Sequence, residues 1–246
     1  MNRIKGIVAG IAAMAVLPSL TACTAAYRDV YEVFNYAFST LSAEDTTLSP
    51  EEIAEFPYSG LYIRRGGQPQ AFIVLGYIDQ QGEYEQRSWI SADRITIVTE
   101  AGRIVQTVGQ TEMLAAAELG EHDLIATSNR SADPLHCIIT NPEHCALTYE
   151  REIDYTDRNR ARSAKVTSTF RIESGPTTIS LPAGNYQAYY VIEDGVFQPT
   201  GESFRNEYWI EPDGHVLRSA QQIKPNDALI TLEQVKWVGR DEPSDE

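Results

Sequence analysis

The sequence predicts a mainly β protein. The fold expected is a strongly curved antiparallel sheet, half-barrel or sandwich-like, with an N-terminal helix and one or two short helices. Three observations predict it. Short segments rich in aromatic and β-branched residues recur from Leu61 to Trp237. Turn chemistry separates them, at Gly66-Gly67, Pro182–Asn185, Pro212–Gly214 and Lys224–Asp227. No strand–helix–strand alternation is present, and on the order of ten to twelve strands must close, curl or fold over.

The first element is a leader. Arg3 and Lys5 precede an apolar run, Gly6 to Leu17. That run is too short to cross a bilayer, which takes about 20 residues. A basic start, a short apolar core and small residues before a cut make a secretory signal. Leu20-Thr21-Ala22-Cys23 has the form of a lipobox: an aliphatic residue, two small residues, then the cysteine that takes the lipid. Cleavage before Cys23 and acylation of its thiol are therefore expected, with residues 1–22 removed. Two or three acyl chains hold a protein stably, where one gives marginal binding. By similarity to lipoproteins with and without Asp after the cysteine, Thr24 favours the periplasmic face of the outer membrane.

Residues 23–48 read as tether and N-terminal helix. Val30, Phe34, Ala37, Phe38 and Leu41 recur at steps of three and four. Such a face docks on the body of the protein or binds a partner. Its polar residues (Arg28, Asp29, Glu32, Asn35) form no Lys-rich stripe for a membrane surface. Ser49-Pro50-Glu51-Glu52 starts a second helix, with Ser as N-cap, Pro in the first turn and Glu three residues after Ser; Pro57 ends it.

The body, residues 49–238, is read as one β-rich domain. Strands are predicted over Leu61–Arg64, Ala71–Ile78, Tyr84–Ile90, Arg94–Thr99 and Arg103–Val108, with a turn at Glu100–Gly102. Met113–Leu119 is a short helix or a loop, and residues 109–135 carry the weakest pattern. Strands resume at Ala146–Tyr155, Ala164–Ile172, Thr177–Leu181, Tyr186–Ile192, Phe204–Ile210, Val216–Ile223 and Leu229–Trp237. In Ala164–Ile172, Val166, Ser168, Phe170 and Ile172 share one face. Residues 239–246 are a charged, loose tail.

Composition bounds the partners. Apolar residues make up 42% and charged residues 22% of the 246, an ordinary globular balance. The sequence pI is about 4.7. Without Arg3 and Lys5 the charge is near −17. Nucleic acid and anionic headgroups repel such a surface, so the membrane contact falls to the acyl chains on Cys23.

With Cys23 lipidated, Cys137 and Cys145 remain. Two thiols this close outside the cytoplasm usually form a disulfide, here across a loop containing Asn141-Pro142. A zinc site built with His136 and His144 is the alternative; the spacing matches no common zinc pattern.

Several segments then resemble one family in order: Phe56-Pro-Tyr58 with Leu61–Arg64, Phe72–Ile78, Ser88–Asp93, and Gly102-Arg103 with Thr107. Further on come Ser168–Phe170, Asn206–Trp209, and Val216–Ile223 before Pro225. With the lipobox, this ordered set resembles the YjbF/GfcB family of bacterial lipoproteins over nearly the whole chain. The resemblance implies a role in capsule or exopolysaccharide production and export. It also implies a curved antiparallel sheet, and it implies no particular molecular activity. The Cys137/Cys145 pair and the acidity depart from the family's pattern; they bear on surface partners rather than on membership.

No catalytic motif is present: no Gly-x-Ser-x-Gly elbow, no His-Glu-x-x-His, no phosphate-cradling glycine loop. Asp79, Glu83 and Glu85 cluster around Gly82, which reads as a solvated turn rather than a hydrolytic carboxylate pair. No enzyme activity, cofactor or metal is expected. Aromatic residues are the better lead, since sugars stack on such rings while Arg and Asp bind hydroxyls. Arg64, Trp89 and Asp93 are the candidate glycan contacts. For any single aromatic, core packing remains the commoner role. The expected partners are a glycan or the polysaccharide secretion machinery. A lipid carrier using a half-barrel cavity is the alternative, and a glycan-modifying enzyme ranks last.

Overall fold

The alternation of inward and outward side chains predicted for single strands extends across one sheet of twelve. The computed structural model describes residues 44–81, 84–92, 95–109, 123–157 and 160–239, all within one unit, Ser42–Glu246. The strands are β1 (Gly60–Arg65), β2 (Ala71–Gln81), β3 (Tyr84–Ile90), β4 (Thr96–Glu100), β5 (Arg103–Val108), β6 (Leu124–Thr127), β7 (Thr148–Asp157), β8 (Arg160–Leu181), β9 (Gly184–Gln198), β10 (Glu202–Ile210), β11 (Val216–Gln221) and β12 (Ile230–Lys236). The spatial order is β5-β4-β3-β2-β1-β12-β11-β10-β9-β8-β7-β6. Every ladder joins sequence neighbours except β1–β12, which zips two meanders together antiparallel.

The outer strands of the order, β5 and β6, come together without a ladder. The Leu124 N–H donates to Thr107 Oγ1 at 2.8 Å, and Thr127 Oγ1 donates to the Val105 carbonyl at 3.1 Å. The sheet is thus a nearly closed, barrel-like structure, the curling required to bury the edges of so many strands.

Helix α1 (Pro50–Glu55) forms where the capping pattern predicts. The Glu52 N–H donates to Ser49 Oγ and the Ser49 N–H donates to Glu52 Oε2. Lys236 Nζ of β12 donates to the carbonyls of Ile53 and Ala54, which supplies a cation for the helix C-terminal half. The amphipathic stretch 27–41, Met113–Leu119 and Cys23 lie outside the described residues.

Two departures from the sequence reading have physical reasons. Ala164–Ile172 and Thr177–Leu181 are parts of one strand, β8, because register shifts at Ile172/Ser174 and Ser174/Thr177 absorb Gly175-Pro176 without ending the pairing to β9. Its inward row holds through Val166, Ser168 and Phe170, but Ile172 is exposed. The weak region yields β6 and then two 3-10 turns, Arg130–Ala132 and Pro134–His136; a third follows at Pro142–His144. These elements are too short to show a period.

The core lies on the concave face. One cluster gathers Ile73, Trp89, Ile97, Leu124, Ile153, Phe197 and Leu232; a second gathers Leu135, Ile138, Tyr149, Phe170, Tyr208 and Ile210.

Candidate functional site

Inward rows that should be apolar carry charged and polar groups at their centre. Arg151 lies between Tyr149 and Ile153 on β7, Glu193 between Val191 and Gly195 on β9, and Asn206 between Phe204 and Tyr208 on β10; all of these sit at buried positions. Glu193 is wholly enclosed. Its Oε1 accepts from Arg151 Nη1 at 2.8 Å and Ser168 Oγ at 2.8 Å. Its Oε2 accepts from Arg103 Nη1 at 2.9 Å, Asn206 Nδ2 at 2.9 Å and the Tyr208 hydroxyl at 3.1 Å. Arg103 turns its other edge to Asp133, which it grips with Nε and Nη2. Two cations thus face two anions.

Burial alone would raise the Glu193 carboxyl, but the Arg103 and Arg151 charges, with the bonds from Asn206 and Ser168, hold it well below the carboxylate range. Burial disfavours the Arg103 cation; Asp133 and Glu193 outweigh that and push its pKa well above the usual value. Burial also pushes the Tyr149 phenol up to about 12. The cavity beside Arg103 and Arg151 is about 10 Å³, room for one water at most. Its groups are matched and enclosed, so this belt is architecture rather than a reaction centre.

The open site is elsewhere. A cleft of about 270 Å³ is lined by Tyr84, Glu85 and Arg87 of β3, Ala101 of the β4–β5 turn, His136 of a 3-10 turn, and Asp213 to Val216 leading into β11. Tyr84 and His136 stack, ring centroids 3.6 Å apart. His136 Nε2 lies 3.3 Å from Glu100 Oε1, while Arg130 and Gln86 donate to Glu100 Oε2. Arg87 Nε donates to Glu85 Oε1 at 2.6 Å, and its guanidinium lies over the Trp237 ring, 4.6 Å from the centroid. The His215 N–H donates to Asp213 Oδ1, and His215 Nε2 lies 2.6 Å from Gln234 Oε1. A smaller cavity of about 30 Å³, reaching Trp89 and Trp237, shares Arg87, His215 and Val216 with this cleft.

Cys137 and Cys145 are joined, Cα atoms 5.4 Å apart. The bond consumes the thiolates that a zinc site would need, and among the described residues no group of three or more metal ligands gathers. The turn that leads into the bridge is part of the cleft's support: the Asp133 side chain caps the turn carrying His136 by accepting from the Leu135 N–H. A Cβ on Gly214 would meet Thr140 Cγ2 at 3.0 Å, so the turn bearing Asp213 leans on the bridged loop.

Of the residues read as glycan contacts, Arg64 and Trp89 share no cavity. Trp89 is a core residue, 2% exposed, its Nε1–H donating to Thr99 Oγ1 at 2.8 Å. Arg64 is held by Asp45 through both guanidinium nitrogens and lines neither cavity. Asp93 lies outside the described residues. Sequence reasoning missed Tyr84, Arg87, His136 and Asp213 as a group because they lie on three segments far apart in sequence. It also missed the belt, although a charge at an inward period-2 position such as Glu193 is a readable signal.

Fold and site together define a class: a nearly closed antiparallel barrel with a packed, charge-balanced interior and a polar cleft built on strand ends and turns. The chain belongs to the family described as group 4 capsule polysaccharide lipoprotein GfcB/YjbF, whose pattern matches residues 31–235. It is similar to the uncharacterized lipoproteins GfcB and YjbF of Escherichia coli (strain K12). Each is 26% identical and covers 83% of this chain and 86% of the relative. The crystal structure of the hypothetical lipoprotein YmcC from Escherichia coli (K12) superposes with a TM-score of 0.70 at 22% identity, over 91% of this chain and 98% of that one, which shows a shared fold.

Proposed function

We propose that this chain is a lipoprotein held by acyl chains on Cys23 at the periplasmic face of the outer membrane. There it acts without catalysis in making or exporting capsule or exopolysaccharide, by engaging a glycan or a component of the secretion machinery. The observation that carries this is the family match across residues 31–235, taken with the lipobox that ends at Cys23. The disulfide supports an oxidising compartment.

A non-catalytic role is supported by how the inner carboxylates are used. Glu193 is sealed between two arginines, and Glu85 is tied to Arg87 at the cleft. Against the carrier alternative, Trp89, Phe197, Leu232 and the ion belt occupy the concave face where acyl chains would have to lie. Anchoring raises the effective concentration at a membrane-bound partner.

Deleting the gene is expected to lower surface polysaccharide, measured on cells grown under inducing conditions; unchanged amounts would overturn the role. A Cys23→Ala protein is expected to restore little of it, and full restoration would show the anchor to be dispensable.

A further inference from the structure

We infer that the cleft between Tyr84, Arg87, His136 and Asp213 is a binding site for an uncharged saccharide. This rests on the polysaccharide role proposed above and names the ligand class and the residues. The hydrogen-bonding groups that line the cleft are only partly used. Among the described residues, the Tyr84 hydroxyl has no hydrogen bond, Arg87 spends only Nε, and Glu85 spends only Oε1. The Arg87 Nη groups and the Tyr84 hydroxyl are donors, and Glu85 Oε2 is an acceptor. A sugar hydroxyl donates and accepts at once, so a mixed lining of this kind suits it.

Shape and charge narrow the class. The cleft's 270 Å³ lies near the lower bound of about 300 Å³ for ligand pockets, which suits a short stretch of saccharide. The lining places the carboxylates of Glu85 and Asp213 around the Arg87 guanidinium. The protein as a whole is also acidic, at −15. A uronate or phosphate would enter against that field. An aliphatic ligand would strip water from Arg87 and Glu85 without replacing their bonds. Tyr84, stacked on His136, supplies an aromatic face fixed in place.

The test uses the full lipoprotein in detergent micelles. Surface polysaccharide from the native host is partly hydrolysed and split by anion exchange into neutral and acidic oligosaccharide pools. Titration calorimetry is expected to give saturable binding with the neutral pool and weaker or no binding with the acidic one. Tyr84→Phe and Arg87→Gln are each expected to weaken it roughly tenfold, the usual cost of a lost ligand hydrogen bond. Both variants should fold, because Tyr84 and Arg87 are only half-buried at the cleft and a partly exposed ion pair such as Arg87–Glu85 adds little stability. Absence of saturable binding with the neutral pool, preference for the acidic pool, or wild-type binding in both variants would overturn the site. If neither pool binds while deletion still lowers surface polysaccharide, the site falls and the role stands. If the neutral pool binds while deletion changes nothing, the role falls and the site stands.

Discussion

Glu193 accepts five hydrogen bonds from five side chains, two of them arginines, in a place that water does not reach. Removing one member of a buried ion cluster leaves the others charged and unmatched, which costs about 3–5 kcal/mol. Glu193→Gln keeps the shape and drops the charge, so thermal unfolding should show a midpoint lower by roughly 10 °C for a domain of this size. The pH dependence has a definite sign. The folded carboxyl titrates below its unfolded value of about 4.3, so its stabilisation is fully present above pH 4.3. It is lost progressively as pH falls below that toward the depressed folded value. Wild-type stability should fall steeply across that acid range, and Glu193→Gln should flatten the limb. A midpoint within a degree or two of wild type would mean that Glu193 is not the charge holding Arg103 and Arg151 together. At this scale the sequence was only half legible. It put Val166, Ser168, Phe170 and Ile172 on one face, yet a buried Ser168 acquires meaning only when Glu193 of the neighbouring strand supplies its acceptor. Trp89 was read as a candidate glycan contact, and nothing local in the sequence reveals that it is buried with its N–H already taken by Thr99.

Among the elements, the segment from Asn129 to Cys145, closed over its last stretch by the Cys137–Cys145 bond, does most with least regular structure. It delivers Asp133 to Arg103, His136 to Glu100 and the cleft, and Leu135 and Ile138 to the second core cluster. Of its three 3-10 turns, Pro142–His144 lies inside the loop that the disulfide closes, and Pro134–His136 leads directly into it. Closing a loop with a sequence separation of 8 removes about 2.5 kcal/mol of unfolded-chain entropy on the loop-closure account. Cys137→Ala/Cys145→Ala should therefore unfold at lower denaturant with an unchanged slope, a loss of about 2–3 kcal/mol read from the midpoint. Unchanged stability would show that core packing of Leu135 and Ile138 alone fixes the segment. The proximity of the two cysteines was visible in the sequence; what they fasten was not, because Asp133 and His136 find partners on β5 and β4, some thirty residues earlier. Long elements were the readable ones. The alternation of Ala164–Ile172 announces β8, and its cap announces α1, whereas β6 is only four residues long.

For the molecule as a whole, the sequence required a sheet of this many strands to curl but could not say where it would meet itself. That choice is non-local: β1 pairs with β12 across more than 160 residues, and the remaining edges meet at β5 and β6. This last junction is fastened by side chains rather than by a backbone ladder. Thr107, almost fully buried, receives the Leu124 N–H and donates to Asp123 Oδ1 at 3.2 Å. Asp123 in turn accepts from the Gly109 N–H, and its own N–H donates to Thr156 on β7. One hydroxyl therefore ties both edges together. Thr107→Val preserves the volume and strands a buried N–H, at a cost of about 1–3 kcal/mol. Because the loss is confined to the junction, it should appear as local opening rather than global unfolding. Amide exchange at Leu124–Thr127 should accelerate roughly tenfold or more, while β9 and β10 keep their protection. Thr107→Ser, which retains the oxygen, should exchange nearly as wild type. Protection at Leu124 that survives the valine would mean the β6–β7 ladder alone holds that strand, and that the barrel's closure does not depend on this hydroxyl.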